Sequence, residues 1–262
     1  MARNHAGTTA IVTGASSGLG ADFARILASR GANLVLIARR EDRLIELADE
    51  LASVHGVTVH PLALDLAAPG AVDVVTAFVR ERGLTVDSLV NNAGFGMHGP
   101  LVEADAARID EQVRLNVGAL VGLTRAFLPD LTASGRGILV NVASTAAFQP
   151  VPFMAAYGAT KAFVLSFTEA VAFETRESGL RVTALCPGPT RTEFFQVAGT
   201  EEARVRDYQT PEHVVATTMR ALDARRTPPS VVSGRRNAAT AVMARIMPRS
   251  IVIPMTGRLM AH

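Results

Sequence analysis

Along this chain, short apolar runs rich in β-branched residues alternate with longer stretches of helical periodicity. TTAIVT (8–13) gives way to GLGADFARILASR (18–30), NLVLIA (33–38) to EDRLIELADELAS (41–53), and VTVHPLAL (57–64) to GAVDVVTAFVRER (70–82). A strand that feeds a helix and then another strand can pair with its predecessor only in parallel, through a right-handed crossover. Near-continuous apolarity in the short runs fits strands covered on both faces.

The pattern continues through VDSLVNN (86–92), GILVNVAS (137–144), LRVTALCPG (180–188) and PPSVVSG (228–234). It predicts an α/β protein of the Rossmann type: a doubly wound parallel sheet of about seven strands with helices on both faces. With 262 residues, one large α/β domain accounts for the chain. Residues 1–234 form its body and 235–262 a basic, partly helical extension. Sheets of this kind bind ligands beyond the carboxyl ends of their strands, so the unusual residues there carry the functional reading.

After the first strand, T-G-A-S-S-G-L-G (13–20) places Gly14, Gly18 and Gly20, with Ser16, Ser17 and Leu19 between them, at the start of an amphipathic helix. Glycines allow a sharp turn close to a pyrophosphate, and the helix start presents free N–H groups and partial positive charge. A tight connection is the bland alternative. The second strand ends in Ile37-Ala38-Arg39-Arg40, where an NAD site would offer a carboxylate to the ribose. Guanidinium groups match a 2′-phosphate instead, so the cofactor expected is NADP(H). Asp65-Leu66, after the third strand, suits an adenine contact or a helix N-cap. Asn92-Ala93-Gly94, after the fourth, gives small and amide-bearing residues at a strand-to-loop junction.

Among 26 basic side chains there is one lysine, Lys161, four residues after Tyr157, one of two tyrosines. At that spacing on a helix, phenol and ammonium share a face. A free phenol has a pKa of about 10; nearby positive charge would draw it toward neutrality. Ser144, thirteen residues before Tyr157 at a strand end, could donate to a substrate oxygen or simply cap a turn.

Thr13-Gly14-x-x-x-Gly18-x-Gly20, Asn91-Asn92-Ala93-Gly94, Asn116, Ser144, Tyr157-x-x-x-Lys161 and Pro187-Gly188 together resemble the short-chain dehydrogenase/reductase family, over nearly the whole chain. The resemblance implies an oxidoreductase moving a hydride between a nicotinamide dinucleotide and a carbonyl or alcohol carbon. Tyr157 would be the general acid/base, Ser144 the holder of the substrate oxygen, and Lys161 the ribose ligand that lowers the tyrosine pKa. Asn116 would hold a water in a proton relay, and Pro187, Gly188, Thr190 and Thr192 would contact carboxamide and phosphates. Thr160 stands where the family often has serine, and Cys186 where asparagine is frequent.

Residues 190–210, with Phe194 and Phe195, read as a substrate lid; Phe95, Met97, Phe153 and Met154 would give an apolar pocket for a lipophilic or acyl substrate, or ordinary core. The family also implies a homodimer or homotetramer acting on a small molecule. No metal site is expected. A single cysteine and an N-terminus without the apolar run of a signal peptide point to the cytoplasm. Residues 224–262 carry seven Arg and no Asp or Glu, so the tail either packs as a helix over the cleft or an interface, or touches an anionic membrane. Without a recognition motif, the basic tail does not make a nucleic-acid binder. A silent dinucleotide sensor or scaffold is the competing functional class.

Overall fold

The computed structural model describes residues 3–199 and 208–260. Among them, β1 (Thr9–Thr13), β2 (Asn33–Ala38), β3 (Val59–Ala63), β4 (Ser88–Asn91), β5 (Ile138–Val142), β6 (Arg181–Cys186) and β7 (Ser230–Val232) form one sheet in the order β3-β2-β1-β4-β5-β6-β7. Every pairing is parallel. Helices α1 (Gly18–Ser29), α2 (Glu41–His55) and α8 (Pro211–Asp223) cover one face. The other is covered by α3 (Ala71–Glu81), α5 (Leu120–Ser134) and α6 (Ala155–Glu174).

Strand side chains alternate between the two layers, as the two-residue repeat of a strand requires. Leu34 and Leu36 of β2 enter the cluster with Phe23, Leu27 and Leu44. Val35 and Ile37 enter the opposite one with Val75, Val79 and Leu123. All four strand residues are 0% exposed, and each such aliphatic side chain contributes about 1.5–3 kcal/mol on burial. The outer strands β3 and β7 are only half-buried. Pro61, which has no N–H for the ladder, sits in edge strand β3, where that lack is tolerated.

The sheet order reverses between β1 and β4, which opens a crevice at their carboxyl ends. Between β4 and β5 the chain runs through α4 (Ala106–Val113) and a π-helical turn, Arg114–Ala119, into α5. The tail forms two helices, α9 (Arg235–Ile246) and α10 (Arg249–Met260). They break at Met247-Pro248 because proline cannot continue the hydrogen-bond ladder of α9. Among the described residues no helix is long and apolar enough to cross a membrane.

Candidate active site

At the end of β1 the backbone turns left-handed at Gly14, φ +64°, a conformation cheap only for glycine. Asn92 locks the turn: its amide donates to Thr13 O at 2.9 Å and Gly14 O at 3.2 Å. Thr13 Oγ1 in return accepts from Asn92 N and Ala93 N. Gly20 packs behind, where a Cβ would lie 2.2 Å from Gly14 O. The following helix starts without a side-chain cap. α4 is capped by Asp105 and α8 by Thr210, whereas α1 has neither a side-chain cap nor a carboxylate in its first turn. Its free N–H groups and dipole face the cleft, a fit for an anionic pyrophosphate.

At the far end of this turn, Arg40 donates from Nε and Nη2 to Ser16 Oγ and from Nη2 to Ser17 Oγ. Its Nη1 donates to Glu193 Oε2 at 2.7 Å. Arg43 Nη1 donates to Glu193 Oε1 at 2.7 Å. These two guanidiniums hold the Glu193 carboxyl at about 2, below its usual range. Arg39 is more open and pairs loosely with Glu111 at 3.7 Å. Asp65 accepts from Ala67 N in a local turn but does not cap the following helix, whose N-cap is Gly70; Asp65 lines the cleft beside Leu66.

The catalytic candidates meet at the opposite end. On α6, Tyr157 and Lys161 are both buried, and Lys161 Nζ lies 5.8 Å from the Tyr157 ring centroid. Lys161 Nζ donates to Val142 O at 2.7 Å, which pins the ammonium at the end of β5. Two residues on, Ser144 Oγ accepts from Ala146 N at 3.1 Å. It thus caps a short 3₁₀ turn, Thr145–Phe148, and also hydrogen-bonds Tyr157, favouring the phenolate.

Burial outweighs that bond: Tyr157 is pushed up to about 12 and Lys161 down to about 8. Lys161 by itself therefore does not make the phenol acidic. Desolvation disfavours charge on both groups; an ammonium 5.8 Å from the ring does not offset it. Cys186, beneath them at the end of β6, is buried and pushed up to about 12, so it stays a thiol.

All the predicted site residues line one cleft of about 610 Å³ except Gly20 and Asn116. Asn116 is buried behind the wall, in the π-helical turn. Its Oδ1 accepts from Phe95 N at 3.1 Å, and its Nδ2 donates to Phe95 O and Thr160 Oγ1. One lone pair of Oδ1 remains, facing the space beside Gly94, where a Cβ would sit 2.8 Å from it and 3.4 Å from Lys161 Nζ. Thr160 is the anchor here, so the hydroxyl matters more than the extra methyl.

Of the four apolar pocket residues expected, Phe95 and Met154 line the cleft, whereas Met97 and Phe153 do not. Val151, Phe194 and Met260 take their place around Tyr157. Phe194 belongs to α7 (Phe194–Ala198), within the expected lid; residues 200–207 of that lid lie outside the described residues. The tail closes the same cleft, with His98 Nε2 2.9 Å from Met260 O and Leu259 on the wall. Arg43 and Glu193 are site residues that the sequence reading missed.

A sequence profile for the family described as short chain dehydrogenase matches residues 8–203. The chain is 40% identical to sulfoacetaldehyde reductase 2 of Chromohalobacter salexigens, over 71% of this chain and 74% of that protein. It is 32% identical to D-beta-hydroxybutyrate dehydrogenase of Rhizobium meliloti, over 80% and 82%. A solved short-chain dehydrogenase from Sphingobium yanoikuyae in complex with NADPH matches with TM-score 0.81 and 34% identity, covering 92% of this chain and 96% of that one. A 7beta-hydroxysteroid dehydrogenase structure matches with TM-score 0.86 and 27% identity over 98% and 100%. The profile takes in β1 through α7, and the 7beta-hydroxysteroid dehydrogenase structure, at 98% coverage, extends the likeness into the tail. By sequence and by fold, this chain belongs to the short-chain dehydrogenases, oxidoreductases acting on CH–OH and C=O groups.

Proposed function

We propose that the protein is an NADP(H)-dependent ketone or aldehyde reductase, or alcohol dehydrogenase, whose proton is exchanged at the Tyr157 hydroxyl and whose substrate is lipophilic or acyl-type. One observation carries the reading: Tyr157, Ser144 and Lys161 share a cleft with the uncapped start of α1 and with Arg39 and Arg40. The NADPH complex of the Sphingobium relative supports the cofactor, as does an alcohol dehydrogenase of Thermococcus sibiricus complexed with 5-hydroxy-NADP.

In this reading the α1 start with Gly14, Ser16, Ser17, Gly18 and Leu19 holds the pyrophosphate, and Arg39 and Arg40 hold the 2′-phosphate. Asp65 and Leu66 flank the adenine, and Asn92, Ala93 and Gly94 the central ribose. Pro187, Gly188, Thr190 and Thr192 line the nicotinamide side with Lys161 on its ribose. Bound there, the dinucleotide supplies or takes up the hydride. In reduction, the Tyr157 O–H gives its proton to the oxygen that becomes the alcohol, while Ser144 donates a hydrogen bond to that oxygen. Lys161 then steadies the phenolate. Asn116 holds Phe95 and Thr160 in place, and its free lone pair beside Lys161 suits a relay water. In oxidation the proton moves the other way.

The apolar group of Val151, Met154, Phe194 and Met260 around Tyr157 supports a lipophilic substrate. NADPH absorbance followed across 3-oxoacyl thioesters, steroids, sugars and simple aldehydes tests it: lipophilic carbonyls should be turned over and sugars poorly. Equal use of sugars overturns the substrate class. Dinucleotide binding without turnover of any carbonyl overturns the enzyme reading in favour of a sensor.

For the tail we favour packing as a cleft wall over membrane attachment, on the His98–Met260 contact. A homo-oligomer is proposed through α6, where Phe163 and Phe173 are exposed; sedimentation of the intact protein checks it.

A further inference from the structure

Glu193 joins the two ends of the cleft. Its carboxylate bridges Arg40 and Arg43, 2.7 Å from each. The next residue, Phe194, lies against the Tyr157 ring with centroids 5.2 Å apart, tilted by 49°. Phe194 also reaches over the loop after β4, where a Cβ on Gly96 would meet its Cζ at 2.7 Å. A single peptide bond therefore separates an anion seated on the arginines from a ring seated on the catalytic phenol.

Arg40 is held on two sides. Nε and Nη2 are committed to Ser16 and Ser17 of the glycine-rich turn, and Nη1 to Glu193. Arg43 adds a second guanidinium to the same carboxylate. A planar pair of guanidiniums that satisfies a carboxylate also satisfies a phosphate, with the same fork of donors.

We propose that Glu193 is a positioning residue whose carboxylate stands in for the cofactor 2′-phosphate on Arg40 and Arg43, so that exchange of the two anions couples cofactor identity to the seating of Phe194 over Tyr157. The proposal rests on the reading of Arg40 as a 2′-phosphate ligand. NADPH brings a phosphate that takes the arginines and releases Glu193, freeing Phe194 from the phenol. NADH brings no competitor, so the bridge persists and Phe194 keeps crowding the substrate end. Acid does not open the bridge at working pH, because the carboxyl is held at about 2. Each guanidinium has a fixed set of N–H donors, so the gain for one anion is a loss for the other.

Titration calorimetry and steady-state kinetics on Glu193→Gln and Arg40→Ala, each with NADPH and NADH, test this. Glu193→Gln removes the competing charge and keeps the shape. NADPH should bind about fivefold tighter, the scale of one exposed ion pair, with NADH unchanged. The carbonyl KM measured with NADH should fall toward the value measured with NADPH. Arg40→Ala should narrow the NADPH/NADH ratio independently. If Arg40→Ala leaves that ratio alone, the phosphate reading fails and the exchange fails with it. If Arg40→Ala narrows the ratio but Glu193→Gln changes neither it nor the NADH-linked KM, the cofactor reading stands and the Glu193 proposal is overturned.

Discussion

The two ends of the cleft obey different physics. At the substrate end Tyr157, Lys161, Ser144 and Asn116 are all at most 9% exposed, and desolvation sets the protonation of the two titratable ones, driving the phenol up and the ammonium down. At the phosphate end the Arg40, Arg43 and Glu193 side chains are 39%, 45% and 39% exposed; there, paired charges set the protonation and hold the carboxyl low. Groups at the buried end cannot ionise cheaply until a ligand brings charge to them. At the exposed end the guanidiniums can trade one anion for another.

The largest effect should separate the ends most sharply. Tyr157→Phe removes the proton and no binding group, so kcat should fall by about 10³–10⁴-fold, with NADPH affinity held within about twofold by calorimetry. A parallel loss of affinity would merge the two ends into one. Ser144→Ala should cost about 100-fold in kcat, measured by NADPH absorbance, and less if the hydroxyl serves chiefly as the cap of its turn. Arg40→Ala is the mirror case: NADPH affinity should weaken by about tenfold, as for the loss of a charge-assisted contact, while kcat at saturation stays close to wild type.

Stability sharpens the same contrast. Burial lowers Lys161 from 10.5 to about 8, so between those values the unfolded chain holds more protons and stability rises with pH; below about 8 the penalty is fully present. Lys161→Met should therefore raise Tm at pH 7 by about 2–4 °C while abolishing activity; a lower Tm would mean that its bond to Val142 O outweighs desolvation. The smallest effect is screening. Raising salt from about 0.05 to 0.5 M should weaken NADPH more than NADH, and a uniform loss would place the selectivity elsewhere.

Much of this was legible from residue order, for physical reasons that differ by element. β1, β2, β5 and β6 are buried on both faces, and a mostly apolar run is what such burial selects. Tyr157 and Lys161 are readable because one helical turn brings them together. The Glu193 bridge is not, since its partner Arg43 lies 150 residues away and no local period records such a pair. The π-helical turn that carries Asn116 has no marker of its own in VRLNVGAL, where the asparagine reads as one polar residue on a helix. The proximity of a cation to Tyr157 is visible in sequence, while the depth at which both groups are buried is not.

The central claim is that the Tyr157 phenol stays protonated in its dry pocket until an oxidised nicotinamide adds positive charge beside it. Near-ultraviolet tyrosinate absorbance, read as the difference between the wild type and Tyr157→Phe, reports that one group out of two tyrosines. In the free protein no Tyr157 tyrosinate should form up to about pH 10, and with saturating NADP⁺ it should form below about pH 9. A titration unmoved by the bound cofactor would contradict the account.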